Sequence, residues 1–310
     1  MHRSPTVGLL LALAACASSG GSRATPTSGA PAVPHLISSD SLDALVRAGP
    51  APTLLDVRGD IGLYLRGHLP DAVYLSVETL RSSAGGVPNL LLPAGSYAAL
   101  WPRLGVRADR PVVVYASGES REVDATYAAW VLAGAGHPRV YVLDGGFRKW
   151  EAESRRTERR YPAASGAAAS AGWRFAPDRA TLDDVRRAVE RRDGRTILVD
   201  ARVPEQYAGQ AGAQMRRGHI PGAVNHYWQD DLTQAGIARV WRDRDTLAAR
   251  YASQGITADK DVIVYCNSGI ESSHVYFALR TLLGYPRVRV YDGSFTEWAG
   301  REELPVETKD

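Results

Sequence analysis

The sequence has little net charge of either sign and few cysteines. Lys and Arg number 37 and Asp and Glu 34 in a chain of 310 residues, which gives a formal net charge of +3. Binding to nucleic acid through its phosphates requires a concentrated basic face, and this balance gives no sign of one. We therefore expect no nucleic-acid partner. The chain is long enough for two domains of ordinary size.

A long apolar run is missing from the N-terminus. Residues 7–15 are apolar but fall far short of the roughly 20 residues that a membrane-spanning helix needs. They follow a short basic start and precede small residues, which is typical of a secretory signal peptide. Residues 13–16, Leu-Ala-Ala-Cys, resemble the bacterial lipobox, in which the cysteine becomes the lipid-modified first residue of the mature protein.

We therefore expect residues 1–16 to be a lipoprotein-type signal peptide with Cys16 as its lipid site, followed by a flexible Ser/Gly/Thr/Pro tether over residues 17–34. This predicts an exported bacterial lipoprotein, anchored to the membrane on the extracytoplasmic or periplasmic side. The alternative is an ordinary signal peptide in which Cys16 is incidental. If Cys16 carries lipid, Cys266 is the only thiol left and no intramolecular disulfide can form.

Four sequence blocks occur twice in the same order, which makes the chain a tandem duplication. The paired blocks are LLDVR and LVDAR, RGHLPDA and RGHIPGA, VVVY and VIVY, and PRVYVLDGGFRKW and PRVRVYDGSFTEW. Short apolar runs alternate with amphipathic segments such as residues 181–192. The predicted class is α/β, with two tandem domains that each have a mainly parallel sheet flanked by helices.

The halves are joined by a small-residue stretch, AASGAAASAG, which is typical of a linker. We expect a first domain over residues 35–154, a linker over residues 155–173 and a second domain over residues 174–310. Residues found in both halves, such as Asp56 and Asp200 or Trp150 and Trp298, are expected to serve the fold. Residues found in one half only are candidates for chemistry.

The halves differ most after the repeated Tyr. The first half continues ASGES from Ala116, whereas the second continues CNSGIES from Cys266, and alignment on Ser-Gly and Glu-Ser makes the first loop the shorter. A loop that runs from the carboxyl end of a strand into a helix directs backbone N–H groups inward. Such a cradle is expected to stabilise a thiolate and to lower the pKa of Cys266, which would make it a nucleophile.

These motifs resemble the tandem-domain rhodanese sulfurtransferases, a family that includes thiosulfate and 3-mercaptopyruvate sulfurtransferases. The resemblance covers residues 36–305 and includes the asymmetry, because the family typically has a degenerate first domain and a catalytic cysteine in the second. It implies a silent first domain, with Ala116 at the position of the missing nucleophile.

The resemblance also implies the reaction. Cys266 would attack the outer sulfur of a small anionic donor, release sulfite or pyruvate, and hold the sulfur as a persulfide until cyanide or a thiol accepts it. The predicted donor is thiosulfate, with 3-mercaptopyruvate as the alternative. No metal and no organic cofactor is expected.

Substrate binding is predicted for the loop and for nearby cations. The loop residues are Asn267, Ser268, Gly269, Ile270, Glu271 and Ser272, whose amides would stabilise the anionic sulfur. Arg202 matches the family's substrate-facing arginine, although its counterpart Arg58 also fits a structural role. Arg216 and Arg217 are weaker candidates, since runs of charge are usually solvated.

The loop departs from the family at Glu271. A carboxylate facing inward would repel a dianion, so Glu271 either points outward and caps the helix or changes the choice of donor. His274 is expected on the surface or on a helix face rather than as a base.

Two other functions compete with sulfur transfer. A phosphatase of the same fold needs an arginine in the loop, and none is present. A lipid-tethered binding protein without catalysis is the alternative of another class.

Overall fold

Two five-stranded parallel sheets, one in each half, organise the part of the chain that the structure describes, which is residues 32–119, 121–162 and 175–308. The structure is a computed structural model. Cys16, the predicted signal peptide, most of the predicted tether and residues 163–173 of the predicted linker lie outside the described residues. In the described ranges, no helix is long and apolar enough to cross a membrane.

The first domain alternates strands and helices. Its strands are β1 (His35–Ile37), β2 (Thr53–Asp56), β3 (Val73–Tyr74), β4 (Arg81–Ala84), β5 (Val87–Leu91), β6 (Val112–Tyr115) and β7 (Val140–Leu143). Its helices are α1 (Ser39–Ala48), α2 (Ile61–Arg66), α3 (Ala94–Arg103), α4 (Glu122–Gly134) and α5 (Gly146–Ala152), with a 3-10 turn over Val77–Leu80.

The second domain repeats this order. Its strands are β8 (Arg179–Ala180), β9 (Thr196–Asp200), β10 (Val224–Asn225), β11 (Leu232–Ala235), β12 (Ala238–Trp241), β13 (Asp261–Tyr265) and β14 (Val288–Tyr291). Its helices are α6 (Leu182–Arg191), α7 (Pro204–Tyr207), α8 (Arg244–Ser253), α9 (Ile270–Tyr276) and α10 (Ser294–Ala299), with a 3-10 turn over Trp228–Asp231 and a π-helix over Phe277–Leu282.

The two sheets have the same strand order. The first runs β1-β7-β6-β2-β3 and the second β8-β14-β13-β9-β10, with every neighbouring pair parallel. Even the register repeats, since Asp56 pairs with Tyr115 as Asp200 pairs with Tyr265. The predicted fold class is confirmed. The central strands are buried, as their continuous runs of Val and Ile require in a sheet covered on both faces.

The two domains share one apolar core. It joins residues of both sheets with helices α4 and α9, which pack against each other at the domain interface. Thr126 of α4 and Ser273 of α9 form a hydrogen bond of 3.1 Å there. Because α9 follows directly on the Cys266 loop, the first domain supports the elements that carry the candidate nucleophile.

A reciprocal pair of hydrogen bonds reflects the duplication across this interface. The amide of Leu91 in β5 donates to Asp292 of the second domain at 3.0 Å, and the amide of Trp241 in β12 donates to Asp144 of the first at 3.1 Å. Asp144 and Asp292 come from the repeated Asp-Gly block. Each domain thus provides a carboxylate that binds the other domain's antiparallel hairpin, which is β4–β5 in the first domain and β11–β12 in the second.

The predicted start of the linker packs on the first domain. Arg155 forms ion pairs with Asp40 and Asp43 of α1, and the backbone of Glu158 exchanges hydrogen bonds of 2.9 Å with His68. Residues 155–158 of the predicted linker thus contact the first domain directly.

Candidate active site

Cys266 lies immediately after β13, at the carboxyl end of the central strands. Its side chain is free and only 1% exposed. The amides of Gly269 and Ser268 point at its Sγ, at 3.1 Å and 3.4 Å. The predicted amide cradle is therefore present, and its amides donate to the cysteine sulfur itself.

Gly269 makes this turn possible. Its φ is +87°, a left-handed conformation that residues with a Cβ adopt at a cost, and a Cβ there would lie 3.2 Å from Oδ1 of Asp292. The glycine lets the chain reverse within four residues of the cysteine and aims its own amide at the sulfur.

Ser294 is a part of the site that we did not predict from the sequence. Its Oγ accepts hydrogen bonds from the amides of Cys266 at 3.2 Å and Gly269 at 3.1 Å, and it lies 4.0 Å from Sγ. It thereby fixes both ends of the loop. A sequence signal was available, because the repeated block has Ser294 where the first half has Gly146.

The pKa of Cys266 is raised above its ordinary value, so the prediction that the loop lowers it is wrong. Burial is the largest cause, followed by the charge of Glu271. The amides of Ser272 and Ser268 and the Ser272 hydroxyl act in the opposite direction but do not outweigh them. The thiol form is therefore the resting form at neutral pH.

A cavity of about 270 Å³ opens beside the sulfur, at the domain interface. The second domain lines it with Trp228 and with the predicted residues Asn267, Ser268, Ile270 and Glu271, together with Cys266 itself. The first domain contributes Arg121 and Val123 from the start of α4. Four of the six predicted loop residues thus face this space.

The other two act through the loop backbone. Gly269 donates its amide to Sγ, and the Ser272 hydroxyl donates to the Gly269 carbonyl at 3.0 Å. Asn267 is fixed by two glutamines: its amide group donates to Gln206 at 2.9 Å, and its oxygen accepts from Gln214 at 3.2 Å.

Glu271 faces inward. Its carboxyl lines the cavity, and its Oε2 is buried with no hydrogen-bond partner. Burial, followed by the charge of Asp200, raises the pKa of Glu271 to about 7. Of the two orientations predicted for this side chain, the outward cap is wrong.

Cations from the first domain reach the loop, which the sequence reasoning missed. The Arg81 guanidinium lies 3.4 Å from the hydroxyl of Ser268, and Arg121 lines the cavity. Each also pairs with a carboxylate of its own domain, Arg81 with Glu78 at 2.6 Å and Arg121 with Asp124 at 2.7 Å. No local motif marks these residues, because the contact depends on how the domains pack.

Arg202 is bound into the fold. Its guanidinium pairs with Asp200 at 2.5 Å, donates to the Gly218 carbonyl at 2.8 Å and stacks on Phe295 at 4.1 Å. Arg58 makes the matching contacts with Asp56, Gly67 and Phe147 in the first domain. Of the two roles predicted for Arg202, this geometry favours the structural one.

The two other arginines lie away from the cavity lining. Arg216 donates to the backbone carbonyls of Arg301, at 2.6 Å, and Leu304, and so fastens the segment after α10. Arg217 is exposed. The structure brings neither to the sulfur.

His274 lies on α9 and is fully buried, so of the two positions expected for it, on the surface or on a helix face, the surface position is wrong. It stacks on Trp241 at 4.1 Å and meets the edge of Trp228 at 5.1 Å. Burial and the nearby His226 lower the pKa of His274 to about 3, which leaves it neutral at physiological pH. It belongs to the apolar interior.

The corresponding loop of the first domain holds a carboxyl group instead of a sulfur. Ala116 takes the place of Cys266, and each accepts the amide of the equivalent Phe at 2.9 Å. The Gly118 amide donates to the buried carboxyl of Glu122. Residues 116–121 separate β6 from α4 whereas residues 266–269 separate β13 from α9, so the expectation that the first loop is the shorter is wrong.

The fold and the site thus describe a protein of two repeated α/β domains, in which only the second domain has a cysteine at this loop. The sulfur of that cysteine is buried and accepts hydrogen bonds from backbone amides. The rhodanese-like domain model matches the chain twice, over residues 38–153 and 181–301. The chain belongs to the rhodanese family.

Relatives of this chain are named for sulfur transfer. The sulfur carrier protein TtuD of Thermus thermophilus is 36% identical over 267 residues, covering 83% of this chain and 91% of the relative. A "putative thiosulfate sulfurtransferase" of Synechococcus elongatus is 36% identical over 264 residues, covering 82% and 79%. The chain is accordingly a rhodanese-type sulfurtransferase.

Solved structures share the fold. The crystal structure of YnjE matches with a TM-score of 0.76 at 22% identity, over 89% of this chain and 68% of that one. A variant of EanB in complex with hercynine matches with a TM-score of 0.78 at 20% identity, over 89% and 70%.

Proposed function

We propose that the chain transfers sulfane sulfur through a persulfide on Cys266. The observation that carries this is the position of Sγ, which accepts amide hydrogen bonds from Ser268 and Gly269 and borders a cavity. Cys266 is the only thiol in the described part of the chain. The same amides that contact the sulfur in the resting enzyme suit the anionic outer sulfur of a persulfide.

The reaction has two halves. The Cys266 thiolate attacks the sulfane sulfur of the donor, forming a new S–S bond while the bond to the leaving group breaks and carries its electron pair away. Cyanide or a thiol then attacks the outer sulfur and releases the Cys266 thiolate. This is covalent catalysis with alternating substrates.

The proposed donor is thiosulfate, with 3-mercaptopyruvate as the alternative. The names of several relatives support thiosulfate. Arg81 and Arg121 approach the loop from the first domain, and we propose that they attract the anionic donor. The inward carboxyl of Glu271 is the observation that favours the alternative, because it repels a dianion more than a monoanion.

The proposed location is the membrane surface outside the cytoplasm, through lipid on Cys16. Support comes from the lipobox-like residues 13–16 and the tether-like composition after them. Export of the full chain in a bacterial host, with and without globomycin, tests it. Accumulation of a larger precursor with the inhibitor is expected, and its absence would make residues 1–16 an ordinary signal peptide.

Thiocyanate formation from cyanide tests the reaction. The full chain is assayed with thiosulfate and with 3-mercaptopyruvate, and Cys266→Ala is the control. Turnover that disappears in the variant is expected. Failure of the wild type with both donors, while Cys266 still reacts with iodoacetamide, would favour the non-catalytic, membrane-tethered binding protein.

A further inference from the structure

Glu271 has no counterion in the described part of the chain. It is the second residue of α9, its carboxyl shares the cavity with Cys266, and its buried Oε2 lacks a hydrogen-bond partner. Leaving a buried carboxyl unsatisfied costs stability. A neutral side chain of the same size would fit the fold better, so the carboxyl group calls for a functional reason.

The charged and titratable groups around Glu271 come from several elements. Asp200 and Arg202 face it from the end of β9, Cys266 from the loop after β13, Tyr227 from the segment after β10, and Arg121 from the first domain across the cavity. The two arginines already pair with Asp200 and Asp124. The carboxyl is thus left to interact with the Cys266 side chain.

We propose that Glu271 relays the proton of the Cys266 thiol to the leaving group of the sulfur donor, and so selects donors whose leaving group must be protonated. This rests on the proposed sulfur transfer through Cys266. Since the pKa of Glu271 lies at about 7 and that of Cys266 is raised, the carboxyl group can both take and return a proton at neutral pH while the thiol does not ionise by itself.

The steps balance for 3-mercaptopyruvate. The thiol proton moves to the Glu271 carboxylate, and the thiolate forms an S–S bond with the donor sulfur. The C–S bond breaks, its electron pair passes to the carbon, and the resulting enolate takes the proton from Glu271 to become pyruvate. Cys266 then holds a hydropersulfide, and Glu271 is a carboxylate again. An organic persulfide reacts in the same way, with a thiolate as the group that is protonated.

Thiosulfate uses only the first proton transfer of this relay, from the Cys266 thiol to Glu271. Its S–S bond breaks to give sulfite, which leaves with the electron pair and needs no proton from the site. The donor is also a dianion, which the Glu271 carboxylate repels. The carboxyl therefore assists donors with a carbon or thiolate leaving group in both proton transfers, whereas for thiosulfate the one useful transfer is opposed by charge repulsion.

Kinetics of Glu271→Gln test the proposal in the full chain, with thiosulfate and 3-mercaptopyruvate as the two donors. We expect kcat/KM for 3-mercaptopyruvate to fall at least about tenfold, mainly through kcat, because one lost proton transfer typically costs about 100-fold or more. For thiosulfate we expect a much smaller change in kcat/KM, because the loss of the base is offset by the loss of charge repulsion. Glu271→Asp should recover part of the 3-mercaptopyruvate activity, and Glu190→Gln, an exposed glutamate of α6, is the matched control. Equal loss with both donors, or no change with either, overturns the relay.

Alkylation of Cys266 gives a readout that needs no donor. The Glu271 charge raises the pKa of Cys266, so Glu271→Gln should shift the pH profile of the iodoacetamide reaction to lower pH. An unchanged profile contradicts the proposed contact. If the profile shifts but wild-type Cys266 accepts sulfur from neither donor, the proposed function fails while the contact stands, so the two failures are distinguishable.

Discussion

The two domains have the same fold but differ in the group that accepts hydrogen bonds from the amides of the equivalent loop. In the second, the amides of Ser268 and Gly269 donate to the Cys266 sulfur; in the first, the Gly118 amide donates to the Glu122 carboxyl beside Ala116. The loop of the first domain therefore differs by more than the missing thiol, because the Glu122 carboxyl accepts the hydrogen bond that the Gly118 amide donates.

The largest effect is expected when the cysteine is moved from the second domain to the equivalent position of the first. Cys266→Ala should abolish thiocyanate formation. Ala116→Cys in the same background should not restore it, because the Gly118 amide, which would have to donate to the new sulfur, already donates to the Glu122 carboxyl. Thiocyanate formation is measured for both variants and for Ala116→Cys alone. Recovery of activity in the double variant would show that the first domain lacks only the thiol.

The buried arginines Arg58 and Arg202 occupy equivalent positions, so their effects on stability in the two domains can be compared directly. Arg202→Ala and Arg58→Ala each leave a buried aspartate without its cation, which typically costs about 3–5 kcal/mol. We expect similar losses in the free energy of unfolding, measured with urea. If Arg202 instead binds the donor, Arg202→Lys will raise KM with little loss of stability, and the two positions will behave differently.

Glu122 predicts a pH dependence of stability. Burial raises its pKa from the usual 4.5 to about 8, so the native chain holds this proton more tightly than the unfolded chain does. The corresponding stability is complete below pH 4.5 and is lost as pH rises toward 8. Because one pKa unit is about 1.4 kcal/mol, the effect is on the order of a few kcal/mol.

Glu122→Gln should remove this loss. Thermal unfolding of the wild type and the variant is compared at pH 5 and pH 8.5, with the exposed Glu151→Gln as control. The stability of Glu122→Gln relative to the wild type should increase at the higher pH. A constant difference between the two proteins would mean that Glu122 is ionised in the fold.

The smallest expected effect is at Ser294, where the first domain has Gly146. Ser294→Gly deprives the amides of Cys266 and Gly269 of their common acceptor. Loss of a buried partner costs about 1–3 kcal/mol, and we expect kcat to fall about tenfold with KM little changed. Steady-state kinetics with either donor measure this. A change confined to KM would place Ser294 in donor binding instead.

Much of the fold could be predicted because the sequence contains two copies of the same domain. The repeated Asp-Val/Ala-Arg and Val-rich blocks predict the parallel sheets, and the unmatched Cys266 predicts the reacting position. What failed depends on packing between distant segments. Arg81 and Arg121 reach the loop because the two domains pack against each other, and no spacing in the sequence encodes that.

The orientation and burial of individual side chains could not be predicted from the sequence either. One loop sequence is compatible with Glu271 facing inward or outward, and the inward orientation adds to the rise in the pKa of Cys266 that burial causes. His274 could not be placed either, because the two tryptophans that enclose it come from other elements. Ser294 is different, since it differs from its counterpart Gly146 within an otherwise similar block, and comparison of the two repeats is enough to mark it.

Mass spectrometry of the full chain after incubation with each donor, without an acceptor, tests directly whether Cys266 carries the transferred sulfur. We expect a gain of one sulfur atom on the peptide that contains Cys266, removed by cyanide, and no gain in Cys266→Ala. Turnover of donor to thiocyanate with no sulfur ever found on Cys266 would contradict it.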